Sequence, residues 1–250
     1  MTLYDQAWPV TAAARDPSVF AGRQQHELHL SQSGLPLRLS DMAAPGVRWR
    51  RNSISKRTID VVLALAGLIL LSPLFLVLAI LIKRTSPGPV FFRQQREGLD
   101  GKLFGVYKFR SMRTELGDQS GLRQAVGGDP RITRLGRFMR RTSLDEMPQL
   151  INVLFGDMSL IGPRPHVPGM LAAGMPYRDL APYYDDRHRV RPGLTGWAQV
   201  NGLRGPTTEP QLALARIHHD LAYIQNWSLC LDCRILALTL WRELSTGTGS

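Results

Sequence analysis

The chain has 250 residues, 44% of them hydrophobic, enough for one domain of ordinary size, or a domain with a tail, around a sizeable core. Its formal charge of +11 and pI near 10.4 point to an anionic partner: nucleic acid, anionic lipid or a phosphorylated substrate. Two cysteines exclude a disulfide framework and fit a reducing compartment.

Residues 1–50 lack a sustained period and end in VRWRRNSISKR, which predicts a disordered, basic N-terminal arm. The first apolar run lies too far from Met1 for a signal peptide. That run, VVLALAGLILLSPLFLVLAILI from Val61 to Ile82, carries no charge and is long enough to cross a bilayer. Pro73, behind Ser72, removes a backbone donor at its centre and predicts a kink. Arg48, Arg50, Arg51, Lys56 and Arg57 precede it, and Lys83, Arg84, Arg93 and Arg96 follow it. Basic flanks prefer the cytoplasmic side, so like-signed ends favour a re-entrant helical hairpin. A bitopic helix with a tolerated proline stays open on these grounds.

Next come a Pro-Gly-Pro turn and two strand-like runs, VFFRQQ and KLFGVYKFRSM, around the turn at Gly98 to Gly101. They predict a small β-hairpin. Thr114 to Gly128 is polar and Gly-rich, a loop. In RITRLGRFMRR, arginines at 131, 134, 137, 140 and 141 alternate with apolar residues at 132, 135, 138 and 139. This is an amphipathic helix suited to the headgroup layer of an anionic bilayer.

The stretch TSLDEMPQLI follows. Ser143 and Glu146 match a capping box, and Leu144, Met147, Leu150, Ile151 and Leu154 recur at helical spacing up to Gly156, a stop. Asp145 and Glu146 are then expected in the first turn, where two acids commonly complement a helix dipole. Residues 167–185 read as a linker between GDMSLIGPRP and RPGLTGWAQVNG. Two helices close the chain, near 211–225, with Leu214, Ile217, Leu221 and Ile224 on one face, and near 229–244. Cys230 and Cys233, spaced C-x-x-C, lie on the last one. His218 and His219 are near in sequence, but the second cysteine pair of a zinc site is missing. The pair therefore reads as buried helical thiols.

Several runs together resemble the bacterial sugar transferases, the monotopic polyprenyl-phosphate phosphoglycosyl transferases that begin surface-glycan assembly. They are KRTIDVVLAL, PGPVFFRQQREG, VYKFRSM, TSLDEMPQLINVLFGDMSLIGPRP, RPGLTGWAQVNG and the D-x-x-Y-I-x-N-W-S-L run from Asp220. They cover about residues 55–235. The resemblance implies an α+β, mostly helical monotopic protein with a re-entrant hairpin broken at Ser72-Pro73, interfacial amphipathic helices and the β-hairpin. The implied organisation is a basic arm (1–50), a membrane segment (51–86), a cytoplasmic catalytic domain (87–244) on the bacterial inner membrane and a short flexible tail (245–250).

The resemblance also implies a reaction. A UDP-sugar gives its sugar-1-phosphate to undecaprenyl phosphate and releases UMP. Asp145 is the implied nucleophile, and Glu146 the implied ligand of a required Mg2+. Lys108, Arg140 and Arg164 match phosphate- or nucleotide-contacting positions. Arg110, Pro165, Arg191, Thr195, Gln199 and Asn201 complete the expected substrate-binding set, with Trp197 beside them. Adjacent acids suit this chemistry, since one carboxylate can attack while the other holds the metal. Leu203 intervenes before Arg204, where the family often continues NG with arginine, which puts the placement of that arginine in doubt. Membrane lipids and downstream glycosyltransferases are the further partners implied, the oligomeric state is open with a dimer as one option, and the sugar is undetermined. The rival readings are a non-enzymatic adaptor docking on anionic lipid and a phosphatase-like hydrolase. Nucleic-acid binding lacks any recognised motif.

Overall fold

The computed structural model describes residues 35–37, 53–113, 129–205 and 209–246. The predicted 114–128 loop, most of the N-terminal arm and the end of the tail lie outside the described residues. Where the arm is described, it is not free: Leu37 is buried in the main core, and Asn226 Nδ2 donates to Pro36 O at 2.6 Å.

The first element, α1 (Ile54–Thr85), is one continuous helix, with Pro73 inside it. This corrects the expected break into two helices at Ser72-Pro73. Proline has no N–H, so the Ile69 carbonyl one turn back loses its donor. The Ser72 hydroxyl donates to that carbonyl at 2.8 Å and so replaces the missing bond.

The helix lies along the rest of the protein rather than standing away from it. Asp60, Ala64, Leu78 and Ile82 are buried at helical spacing, while Val62, Leu63, Ile69, Leu70 and Val77 are exposed. Each end is tied to the same body. Near the start, Arg57 donates to Val153 O and Leu154 O (2.6 and 2.9 Å), Lys56 pairs with Asp232 (2.7 Å), and Asp60 accepts from Ser159 Oγ and the Leu160 N–H. At the finish, Arg110 donates to Ile82 O, Ser86 O and Pro87 O. Arginines thus satisfy terminal carbonyls that a helix leaves without internal partners.

The expected hairpin forms: β1 (Phe91–Glu97) pairs antiparallel with β2 (Leu103–Phe109), Phe92 opposite Lys108 and Arg96 opposite Phe104. The basic helix α2 is shorter than predicted, Arg134–Arg141, and is capped by Thr133 Oγ1 accepting from the Gly136 N–H at 2.9 Å. Arg131 stands before it, buried and paired with Asp129. A side chain at Gly136 would meet Ser111 O at 1.9 Å, so glycine lets α2 sit against the chain beyond β2.

The capping box does not form. Ser143 is left-handed (φ 54) with no cap bond, Leu144–Glu146 makes a single 3-10 turn, and Pro148 takes the cap position of α3 (Gln149–Phe155). Proline is tolerated there and not further in, which moves the helix start past the acids. Gly156 ends α3 at φ 90, as expected.

Two short parallel strands, β3 (Ser159–Ile161) and β6 (Gly193–Thr195), bring the two glycine-proline runs side by side. The predicted linker is structured instead: β4 (Leu171–Ala172), β5 (Met175–Pro176), α4 (Tyr177–Leu180) and the 3-10 segment Tyr184–Arg189, with Tyr177 and Tyr184 buried. The short α5 (Trp197–Val200) precedes the two late helices, α6 (Pro210–Gln225) and α7 (Leu229–Thr246), near their predicted positions.

The main core joins Val106, Leu150, Val153, Trp197, Ile217, Leu221 and Ile235. A second cluster joins Leu78 and Ile82 of α1 to Phe109 and Met139, with Leu144 packed against it. Cys230 and Cys233 lie on α7 but are exposed, which corrects the buried-thiol reading. Leu231 and Ile235 face the core instead, and Ala237, Leu240 and Trp241 continue the exposed stripe.

Candidate active site

Strand alternation places Arg96 and Lys108 on one face of the hairpin, pointing toward the 3-10 turn. Asn152 holds hairpin and turn together. It is fully buried on α3, its Oδ1 accepts from the Tyr107 N–H at 2.9 Å, and its Nδ2 donates to Gly105 O at 2.8 Å.

Glu146 is the centre of a cationic cradle. Lys108 Nζ lies 2.7 Å from its Oε1. Arg164 forks across it, Nη1 to Oε2 at 2.9 Å and Nη2 to Oε1 at 2.5 Å. Such two-pronged pairs fix geometry as well as charge. Burial alone would raise the Glu146 pKa, but Arg164 and Lys108 hold it well below the usual carboxylate range. Burial lowers the Lys108 ammonium, with Glu146 opposing that shift.

Asp145 is the opposite case. Its carboxylate is buried and accepts no side-chain hydrogen bond or ion pair among the described residues. Burial and the neighbouring Glu146 charge raise its pKa, against Lys108, Arg140 and Arg164. The two adjacent acids are therefore differentiated: one is locked as an anion, the other is unpaired and more basic.

Arg164 is itself held from behind. Its backbone carbonyl accepts from Arg187 Nη2 at 2.7 Å, and Arg187 is paired with Asp220 at 2.7 Å. Both side chains of that pair are almost wholly buried. The double-proline run is also fixed by packing of main chain on main chain. Gly162 N donates to Thr195 O, Gly193 N donates to Pro163 O, and a side chain at Gly193 would strike Gly162 N at 2.1 Å. The glycine at 196 serves the same packing, since a side chain there would meet Gly162 O at 2.2 Å.

The structure thus brings together Lys108, Arg140, Asp145, Glu146, Arg164 and Pro165, whose carbonyl accepts from Arg96 Nη1 at 3.2 Å. Arg96 is a member that the sequence reading missed. Burial and the neighbouring Arg164 pull its pKa down to about 10, with Glu146 opposing. Its spacing from Phe92 and Gln94 on one strand face was the available signal.

Other expected residues are engaged elsewhere. Arg110 caps α1, and Arg191 Nε donates to Gly156 O at the end of α3. Thr195 Oγ1 bonds Thr239 Oγ1, and Asn201 Nδ2 donates to Trp197 O within its own turn. Gln199 Nε2 bonds Leu194 O, while its buried Oε1 and the buried Trp197 Nε1 have no hydrogen-bond partner among the described residues. Arg204 pairs with Glu243 at 2.6 Å, which also accepts from Ser143 Oγ just before the acid pair.

For magnesium, the donors at this site are the carboxylates of Asp145 and Glu146. Among the described residues, no group of three or more His, Cys, Asp or Glu side chains converges. The donor set is two adjacent carboxylates, which fits a cation that takes one or two carboxylates and fills its shell with phosphate oxygens and water. In this state Glu146 has both oxygens occupied by Lys108 and Arg164.

Residues 51–246 match the family described as Bacterial sugar transferase, and the chain belongs to that family. It is 53% identical over 196 residues to the exopolysaccharide production protein PSS of Rhizobium leguminosarum bv. phaseoli, a match covering 78% of this chain and 98% of that one. It is 45% identical over 227 residues to the UDP-glucose:undecaprenyl-phosphate glucose-1-phosphate transferase of Escherichia coli (strain K12), covering 90% of this chain and 47% of the relative. It is 44% identical over 195 residues to the UDP-N-acetylgalactosamine-undecaprenyl-phosphate N-acetylgalactosaminephosphotransferase of Aeromonas hydrophila, of which the match covers 44%. The chain therefore spans less than half the length of the last two.

Proposed function

We propose that this sugar transferase moves a sugar-1-phosphate from a UDP-sugar to undecaprenyl phosphate at the cytoplasmic face of the bacterial inner membrane, opening the synthesis of an exopolysaccharide or other surface glycan. A carboxylate oxygen of Asp145 attacks the phosphorus that carries the sugar. The bond from that phosphorus to the bridging oxygen breaks, and UMP leaves with the electron pair. A phosphate oxygen of the acceptor then attacks the same phosphorus, breaks the acyl-phosphate bond and frees the Asp145 carboxylate. The observation that carries this reading is the unpaired, buried Asp145 beside a cation-locked Glu146.

Lys108, Arg96, Arg140 and Arg164 supply four positive charges against two carboxylates, so the site suits a diphosphate. Arrival of the phosphates gives Lys108 and Arg164 competing anions. Glu146, so freed, would hold Mg2+, which would supply charge neutralisation for the diphosphate. UDP-glucose is the first donor to test, because relatives of 45% and 50% identity are named for it.

The monotopic placement, with both ends of the apolar helix on one side, rests on α1. At about 1.5 Å per residue it could span a bilayer, yet both its ends are bonded to one catalytic body and both flanks are basic. A crossing helix would have to send those ends to opposite sides.

The deciding measurement is UMP release by detergent-purified protein from a panel of UDP-sugars with Mg2+, with and without undecaprenyl phosphate. The expected outcome is lipid-dependent turnover with one donor. Asp145→Asn should lose that activity by at least about a thousandfold while binding membranes normally. Wild-type turnover in that variant would refute the covalent route, and sugar-1-phosphate release without lipid would point to hydrolysis.

A further inference from the structure

On the transferase reading, the acceptor's phosphate must reach Asp145 while its isoprenoid chain stays in the apolar layer. The second half of α1 shares a cluster with the hairpin and with the nucleophile turn: Leu78 and Ile82 pack with Phe109, and Leu144, the neighbour of Asp145, packs against the same group. The base of the hairpin is fastened to the end of α1, since the Arg110 N–H donates to Val90 O and its guanidinium holds Ile82, Ser86 and Pro87 carbonyls. Phe92 stands one step above that base. It is paired with Lys108 on the site-facing side of the sheet, and its ring is left 41% exposed. Directly paired residues on one face hold their side chains in contact range. Along that face an exposed aromatic comes first, then the Lys108 ammonium, then Arg96.

We propose that Phe92 is the floor for the first isoprene units of the acceptor, with Lys108 beside it receiving the lipid phosphate. The proposal rests on the transferase reading above. An isoprenoid phosphate has this chemistry in this order: an apolar unsaturated chain joined to a dianionic head. Phe91 provides an internal comparison. It is equally exposed, at 43%, but belongs to the opposite face, where it stacks on Phe109 at 5.3 Å. Contact with the bilayer would favour the face that packs on α1, that of Phe91 and Phe109, whereas acceptor contact involves Phe92 only.

The test compares undecaprenyl phosphate with geranyl phosphate as acceptors for full-length protein in detergent. The readout is acceptor KM for wild type, Phe92→Ala, Phe92→Leu and Phe91→Ala. The wild type is expected to prefer the longer acceptor. Phe92→Ala should raise KM for both by about tenfold, in line with loss of one apolar contact surface, and Phe92→Leu should recover most of the loss. Phe91→Ala should leave acceptor KM within about twofold. Equal KM changes in the two alanine variants, or none in Phe92→Ala, would overturn the proposal and leave Phe92 as a bilayer contact. Single-turnover UMP release without acceptor separates the layers. Its presence in wild type and Phe92→Ala shows an intact donor site, so that an altered KM is not misfolding. Its absence in wild type would refute the covalent route proposed above, independently of the acceptor KM values.

Discussion

Asp145 and Glu146 share a peptide bond but not an environment. Glu146 has three donors on it, and Asp145 has none from a side chain among the described residues. The proposed attack requires ionised Asp145, whose pKa is raised above the ordinary 3.8 by burial and by Glu146. Turnover should therefore fall, as pH drops, at a higher pH than an ordinary aspartate would give. Lys108→Met removes a cation that favours the carboxylate, so the acid limb of the kcat profile should move higher still. Glu146→Gln removes the like charge and should move the limb down in whatever activity remains. Unmoved limbs in both would show that another group titrates. One layer back, Asp220→Asn leaves Arg187 as a buried, unpaired charge and should cost about 3–5 kcal/mol in thermal unfolding. It should also raise KM for the sugar nucleotide, because Arg187 supports the Arg164 main chain. The acid pair was legible in the sequence because neighbouring carboxylates under arginines are unusual company. The Arg187–Asp220 support was not, because the partners come from segments 33 residues apart that meet only in the folded chain.

Elements with a long period were the readable ones. The apolar run, the hairpin and the two late helices carry enough residues for alternation or helical spacing to show. Short elements carried no such signal. The 167–185 stretch has pieces of two to six residues, held by burial of Tyr177 and Tyr184 rather than by pattern. The cap at Ser143 failed for a local reason: Pro148 sets the start of α3, and Ser143 bonds Glu243 instead. On α7, apolar residues surround the helix, so sequence could not say that Leu231 and Ile235 face inward and the cysteines outward. Two substitutions test how elements are joined. Arg110→Ala strips the donor from the end of α1 and should lower the apparent melting temperature by a few degrees, since three carbonyls lose a charged donor at a part-buried joint. Gly136→Ala forces a methyl into Ser111 O and should be at least as damaging. A melting temperature unchanged by either would show that the joint is looser than the contacts imply.

At the scale of the whole molecule, charge and apolar surface are sorted around one helix. The proposed placement predicts that both ends of α1 face the same compartment. In a background with Cys230 and Cys233 replaced by serine, cysteines at Ser55 and Arg84, both exposed, should react with an impermeant maleimide from the same side of sealed vesicles. Opposite sidedness would establish a crossing helix. The replacement is needed because the native thiols are themselves exposed.

The arginine ties at the two ends of α1 have a mechanical implication. A tethered enzyme can bob, tilt and sample a range of heights over the surface that holds it. Here Arg57 and Arg110 rivet the apolar helix to the rest of the fold, and Leu144, beside Asp145, packs against the cluster that Leu78 and Ile82 of that helix share with Phe109. The elevation of the Asp145 carboxylate above that helix is thereby a constant of the architecture, like the nib of a plotter fixed to its carriage. The enzyme then acts as a depth gauge. On the proposed transfer route it would select acceptors by the plane in which their phosphate floats as well as by what they are made of.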